Sequence, residues 1–189
     1  MIEKQRTTPD AYPLTLNALR AACNQTTNRD PVVSYEGQTI RAALLRLSQR
    51  GWARLASGPG SRAVKYRHLL GDALEVGDAE LAVLCVLMLR GGQTPGELKA
   101  RTHRMQAFAS PAEIHETLEG LIRRELVARL PRRPGQKEER YVQLLGGEHE
   151  AEPAVDEPAA GGDVEERLSR LEAEVAELRR ALGRSDSSD

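Results

Sequence analysis

The chain has 189 residues, 29% of them charged, 40% apolar and only 3% aromatic, a length that fits one large domain or two small ones. No apolar run approaches the roughly eighteen residues of a membrane span, and the start MIEKQRTT lacks the features of a secretory leader, which disfavours membrane and secreted classes. Cys23 and Cys85 have no metal or redox spacing and read as small apolar residues of a reducing cytoplasm, in a core expected to consist of Leu, Val, Ile and Ala.

In chain order, LTLNALRAAC (14–23) reads as a short helix and NQTTNRDPV (24–32) as a turn rich in Asn and Asp. An amphipathic helix follows over 37–50, with Ile40, Leu44 and Leu47 spaced i, i+4, i+7. A strand is expected at 52–56, a glycine-rich tip at SGPGSR, and a returning strand at VKYRHLL (64–70). The second half begins with an apolar helix over 78–89, in which Leu81, Leu84, Val86 and Met88 are expected to be buried. TPGELKART (94–102) is a short helix with Pro95 near its start, and residues 110–124 form the second long amphipathic helix. There Ser110, Pro111 and Glu113 suit the cap, the first turn and the reciprocal partner of a capping box. A strand at 126–130, a tip at PRRPGQKEE and a strand at RYVQLL (140–145) complete the half.

These two halves are one unit repeated. Ile40, Leu44 and Leu47 recur as Ile114, Leu118 and Leu121 at an offset of 74, and Tyr66 and Leu70 recur as Tyr141 and Leu145 at 75. Three helices followed by a two-stranded hairpin is the winged-helix form of helix-turn-helix, whose third helix enters the DNA major groove. The expected fold is therefore mainly α with small β-hairpins (α+β): two tandem winged-helix domains, 1–72 and 75–147, plus a C-terminal coiled-coil helix. Residues 148–163 read as a flexible acidic linker, 164–183 as the coiled coil and 184–189 as a disordered tail.

The run EKQRTTPDAYPLTLNALRAACNQTTNRDPV (3–32) resembles the signature of the YceH-type family of uncharacterised bacterial proteins, as do GSRAVKYRH, TPGEL and RYVQLL. The resemblance covers roughly residues 1–147 and implies a tandem winged-helix protein; it implies no reaction, ligand or catalytic residue. Against that family, the chain starts inside helix one, as a misplaced start codon would produce. Most of that helix is expected to be missing, leaving apolar surface of the first domain uncovered at about 25 cal/mol per Å².

Charge divides the chain. Residues 1–74 hold eleven Lys/Arg against five Asp/Glu (+6), 75–147 hold eleven against ten (+1), and 148–189 hold five against thirteen (−8). The basic head suits an acidic partner such as nucleic acid, and the acidic tail suits a solubilising or competing role. The candidate DNA-binding residues are Arg29 in the turn, Gln38, Arg41, Arg46 and Arg50 on the third helix, and Arg62, Lys65 and Arg67 on the hairpin. The bland alternative is a solvated basic face. Arg132, Arg133 and Lys137 form a secondary basic wing, but Glu113, Glu116 and Glu119 make the second main helix a poor phosphate ligand and a better protein contact.

His68, His103, His115 and His149 are scattered, and SGPGSR lacks the lysine and the strand–loop–helix context of a phosphate loop. No catalytic set, metal or cofactor is expected. In the tail, Leu168, Val175 and Leu182 at a, with Val164, Leu171 and Leu178 at d, define a heptad seam. Arg167 with Glu172 and Glu174 with Arg179 would attract across a parallel homodimer; a lone amphipathic helix is the alternative. The leading expectation is a non-enzymatic DNA-binding protein, a transcriptional regulator in the cytoplasm and on the nucleoid. The alternative is a tandem winged-helix module for protein–protein contact within a larger complex.

Overall fold

The N-terminal half is built on a short helix α1 (Ile2–Thr7), a single 3-10 turn (Pro9–Ala11), and a two-residue strand β1 (Leu14–Thr15) that runs directly into α2 (Leu16–Cys23). Helix α3 (Gly37–Gln49) and a hairpin of β2 (Ala53–Leu55) and β3 (Lys65–His68) follow. In the C-terminal half, α4 (Leu70–Leu74) leads into α5 (Asp78–Arg90), α6 (Pro95–Thr102), α7 (Pro111–Arg123) and a hairpin of β4 (Val127–Leu130) and β5 (Arg140–Gln143). The computed structural model describes residues 1–57, 63–132 and 138–146. Residues 1–148 close into one compact unit; the linker, heptad seam and tail expected from the sequence lie outside the described residues.

The α+β character is present, and the repeat survives in detail. Helices α3 and α7 are both 13 residues long and start 74 residues apart; α2 and α6 are both eight residues long, 79 apart. Each short helix is capped by a threonine: the Ala18 N–H donates to Thr15 Oγ1 and the Glu97 N–H to Thr94 Oγ1, both at 3.2 Å. Each long helix ends in a left-handed residue, Gly51 (φ 72°) and Glu125 (φ 55°). In both, the next N–H returns to the last turn, from Trp52 to Leu47 O and from Leu126 to Leu121 O.

Sheet order is β1-β3-β2, antiparallel throughout, with Leu14 opposite Tyr66 and Leu55 also opposite Tyr66. The second half replaces β1 by a single bridge between Gln93 and Tyr141 beside the β4–β5 pair. Neither feature is marked in the sequence, because Leu14 and Thr15 fit a helical run equally well and only pairing with residues fifty positions away makes them a strand. The capping box at Ser110 is half formed. Ser110 Oγ accepts from the Glu113 N–H, but the Glu113 carboxylate accepts from Ala109 (2.7 Å) rather than from Ser110.

Three apolar clusters hold the unit. Leu14, Leu19, Ile40 and Leu44 fill the first half. Eleven residues, among them Leu84, Leu87, Leu98, Ile114, Leu118, Leu121 and Tyr141, fill the second. Ile2, Leu70, Leu81 and Cys85 form a cluster shared by both halves, with Trp52 at its edge. α1 packs against α5 through Ile2, so α5 touches α1, α4, α6, α7 and β5. That enclosure corrects the expectation for Met88. Every side chain from Leu81 to Leu87 is buried, whereas Met88 in the last turn is 40% exposed, although Leu89 beyond it packs on the shared cluster.

Candidate nucleic-acid interface

Helix α3 lies with Ile40 and Leu44 buried and Gln38, Arg41, Ala42, Leu45, Arg46, Gln49 and the C-cap Arg50 exposed. Its C-terminus passes through Gly51 into β2, so helix and hairpin are joined by a tight turn rather than a loop. The hairpin adds Lys65 and Arg67 on β3, and Arg54 stands directly opposite Arg67 on β2. Arg54 escaped the sequence reading because it lies in a short strand among apolar residues. Like charges facing each other across a strand pair repel unless an anion shields them.

The candidate cations differ in what they already do. Arg41, Arg46, Arg54 and Lys65 make no side-chain ion pair or hydrogen bond among the described residues. Arg50 lies over the Trp52 ring, 5.2 Å from its centroid. Arg67 is half-buried in a groove beside Gln5, Arg6 and Asp72, with its Nε enclosed. Arg62, Arg133 and Lys137 lie outside the described residues.

Arg29 is not available to a phosphate, contrary to the sequence expectation. Its side chain is 7% exposed and pairs with Glu3 through both terminal guanidinium nitrogens, at 2.6 and 3.3 Å. It also donates to the carbonyls of Ala22 and Asn28. An arginine in a turn near the chain's basic face looks free in sequence; its partner 26 residues upstream is visible only in three dimensions. The turn itself behaves as Asn and Asp predict. Asn24 exchanges two hydrogen bonds with the Tyr35 backbone, and Asn28 takes a left-handed φ of 57°.

In the second half, the equivalent surface is internally neutralised. Arg129 pairs with Glu119 (2.5 Å) and Glu139 (3.4 Å), and Arg132 with Glu139 (3.8 Å). Arg140, the counterpart of Lys65, pairs with Glu97 (3.1 Å). Arg124, the counterpart of Arg50, pairs with Glu80 (3.7 Å).

At the end of β3, opposite Ala53, sits His68, 8% exposed, with its ring 6.1 Å from that of Tyr12 and Nε2 against Gln5 Oε1. Burial, helped by the nearby N-terminal amine and Arg67, lowers its pKa to about 4, so it is neutral. Burial likewise pushes the Cys85 thiol up to about 11, which makes it an unreactive core residue. Among the described residues no group of His, Cys, Asp and Glu has the arrangement of a metal site, and no helix is long and apolar enough to cross a membrane.

A family described as "Protein of unknown function, DUF480" matches residues 1–136. A UPF0502 protein of Opitutus terrae is 48% identical over 185 residues, spanning 95% of this chain and 78% of that protein. Another UPF0502 protein, from Koribacter versatilis, is 46% identical over 182 residues, spanning 94% and 85%. The expectation of an uncharacterised family holds at that level. With most of its length matched and two relatives near half identity, the chain belongs to the DUF480 family.

Proposed function

We propose that this protein is a non-enzymatic DNA-binding protein, a transcriptional regulator whose two halves are tandem winged helices. In that reading α3 is the recognition helix of the first and the β2–β3 hairpin is its wing. The observation that carries it is the contrast in charge pairing. Among the described residues Arg41, Arg46, Arg54 and Lys65 make no ion pair, while in the second half Arg124, Arg129 and Arg140 are held by carboxylates and the offset of 74 puts His115 and Gly120 where Arg41 and Arg46 stand. Unpaired cations on a helix and its adjoining hairpin supply phosphate contacts without first breaking an internal ion pair. Fluorescence anisotropy of the full chain with duplex DNA at several salt concentrations tests the proposal. Binding should weaken steeply with salt, each neutralised phosphate adding roughly 0.9 to the log–log slope. Absence of binding at about 50 mM salt would sink it.

A second reading is favoured for the C-terminal half alone. α7 presents Glu116 outward, and the described hairpin cations Arg129 and Arg132 beside it are already paired with carboxylates. That surface suits a protein partner, and capture from nuclease-treated extract should then survive removal of nucleic acid. The heptad spacing of 164–182 supports a parallel homodimer that would set two basic heads on one duplex. Sedimentation equilibrium of the full chain against a chain ending at Gly162 checks this; two monomers at tens of micromolar would overturn it.

A further inference from the structure

Around the α3 axis each residue advances by about 100°. The direction opposite the Ile40–Leu44 seam is occupied by Gln38, Ala42, Leu45 and Gln49, all exposed. Arg41 and Arg46 stand on the two flanks of this strip, roughly 140° apart. Leu45, on the side of this strip nearer Arg41, is 61% exposed, an apolar side chain held in water beside a guanidinium that makes no ion pair among the described residues. Neither glutamine makes a side-chain hydrogen bond among the described residues.

Resting on the DNA-binding reading above, we propose that this strip reads A·T base pairs in the major groove. A glutamine amide offers one donor and one acceptor, the pair that adenine N7 and N6 complement. Leu45 and Ala42 offer methyl surface, which only thymine returns through its C5-methyl group. Guanine presents two acceptors and calls for a bidentate arginine at the groove floor; here both arginines sit on the flanks, where the phosphate walls lie. From Gln38 to Gln49 the helix rises about 16 Å, which spans roughly five base pairs at 3.4 Å each. The second half lacks this chemistry. The offset of 74 places Glu116 and Glu119 where Ala42 and Leu45 stand, and Glu119 is bound to Arg129.

The test is anisotropy with the full chain and equal-length duplexes sharing identical flanks. One pool has a core randomised over A and T, a second a core randomised over G and C. A third repeats the first pool with deoxyuridine for thymidine, and a fourth repeats it with 7-deazaadenine for adenine. The A·T pool should bind on the order of tenfold tighter than the G·C pool. The two modified pools should each lose several-fold, which separates major-groove reading from a response to minor-groove width. Leu45→Ala should abolish the penalty for deoxyuridine, and Gln38→Ala with Gln49→Ala should flatten the response to deazaadenine, both leaving the salt slope unchanged. Equal, salt-dependent affinity for all four pools would overturn this inference and leave DNA binding standing. Binding to none would overturn the DNA-binding reading itself.

Discussion

Leu44 and Leu118 occupy the same place in two copies of one unit, yet Leu44 packs in a cluster of four buried side chains and Leu118 in a cluster of eleven. The surfaces diverge the other way. Among the described residues Arg41, Arg46 and Lys65 of the first copy make no ion pair, whereas Arg124, Arg129 and Arg140 of the second are tied to carboxylates. Equal helix lengths, equal threonine caps and equal left-handed exits show that backbone rules fix the unit. What sits inside and outside it then varies independently. The second copy carries the larger core and the first carries the accessible charge.

Breaking that comparison begins with the core. Leu118→Ala, at a 1% exposed site, should cost about 4 kcal/mol by urea unfolding, and Leu44→Ala, at 5%, about 2–3 kcal/mol. Equal costs would remove the asymmetry. Next comes the buried pair that belongs to the first copy alone. Arg29→Ala leaves the Glu3 carboxylate enclosed and should cost about 3 kcal/mol, and Arg29→Lys should restore little, since an ammonium cannot fork across both oxygens.

Replacing Arg41, Arg46 and Lys65 together by Ala should lower the salt slope of DNA binding by about 3 while the unfolding curve stays put. Arg132→Ala with Arg133→Ala should matter less, and equal losses would show that both copies meet DNA.

Acid sharpens the contrast further. The offset of 75 pairs His68 with Gln143, which does not titrate. The folded protein keeps His68 neutral down to about pH 4, whereas the unfolded chain protonates it near pH 6.5. Stability present above pH 6.5 should therefore fall by about 3 kcal/mol as the pH drops to about 4, with no further loss from this group below. His68→Gln, which copies the second repeat, should remove that dependence between the two pH values.

The smallest effect lies at the helix exits. Gly51→Ala should cost about 1 kcal/mol and Glu125→Gly should gain a similar amount, because both positions need a positive φ. Thermal unfolding of the two variants suffices.

Much of this was legible in the linear chain. The 3.6-residue stripes located α3 and α7 to within a residue, and the offsets of 74 and 75 located both hairpins, because local pattern and tertiary role agree there. The failures share a cause. β1 exists only through Tyr66 and Lys65. Arg29 is committed only through Glu3. Met88 is exposed because no distant described element covers its side of the last turn of α5, while Leu89 is packed on the shared cluster. Each depends on a partner far along the chain, which periodicity does not encode. For the candidate interface, the basic residues other than Arg54 were readable; which of them make no ion pair among the described residues was not.

The connection between α2 and α3 is five residues longer than that between α6 and α7, 13 against eight. The extra length reaches the far copy: the Asp30 N–H donates to Leu89 O at 2.9 Å and Arg90 donates to Asn28 at 3.2 Å, at the end of α5. Arg29 ties the same loop to α1, Arg6 ties α1 to Asp78, and Arg124 ties α7 to the carbonyls of Leu74 and Glu75. A protease nicking the chain between Leu74 and Val76 would therefore free neither fragment, because the severed ends remain stitched by strands of contact on both sides of the cut. The two halves are thus held as by a clasp, with α1 and the long α2–α3 connection closing it on one side of the junction and α7 on the other.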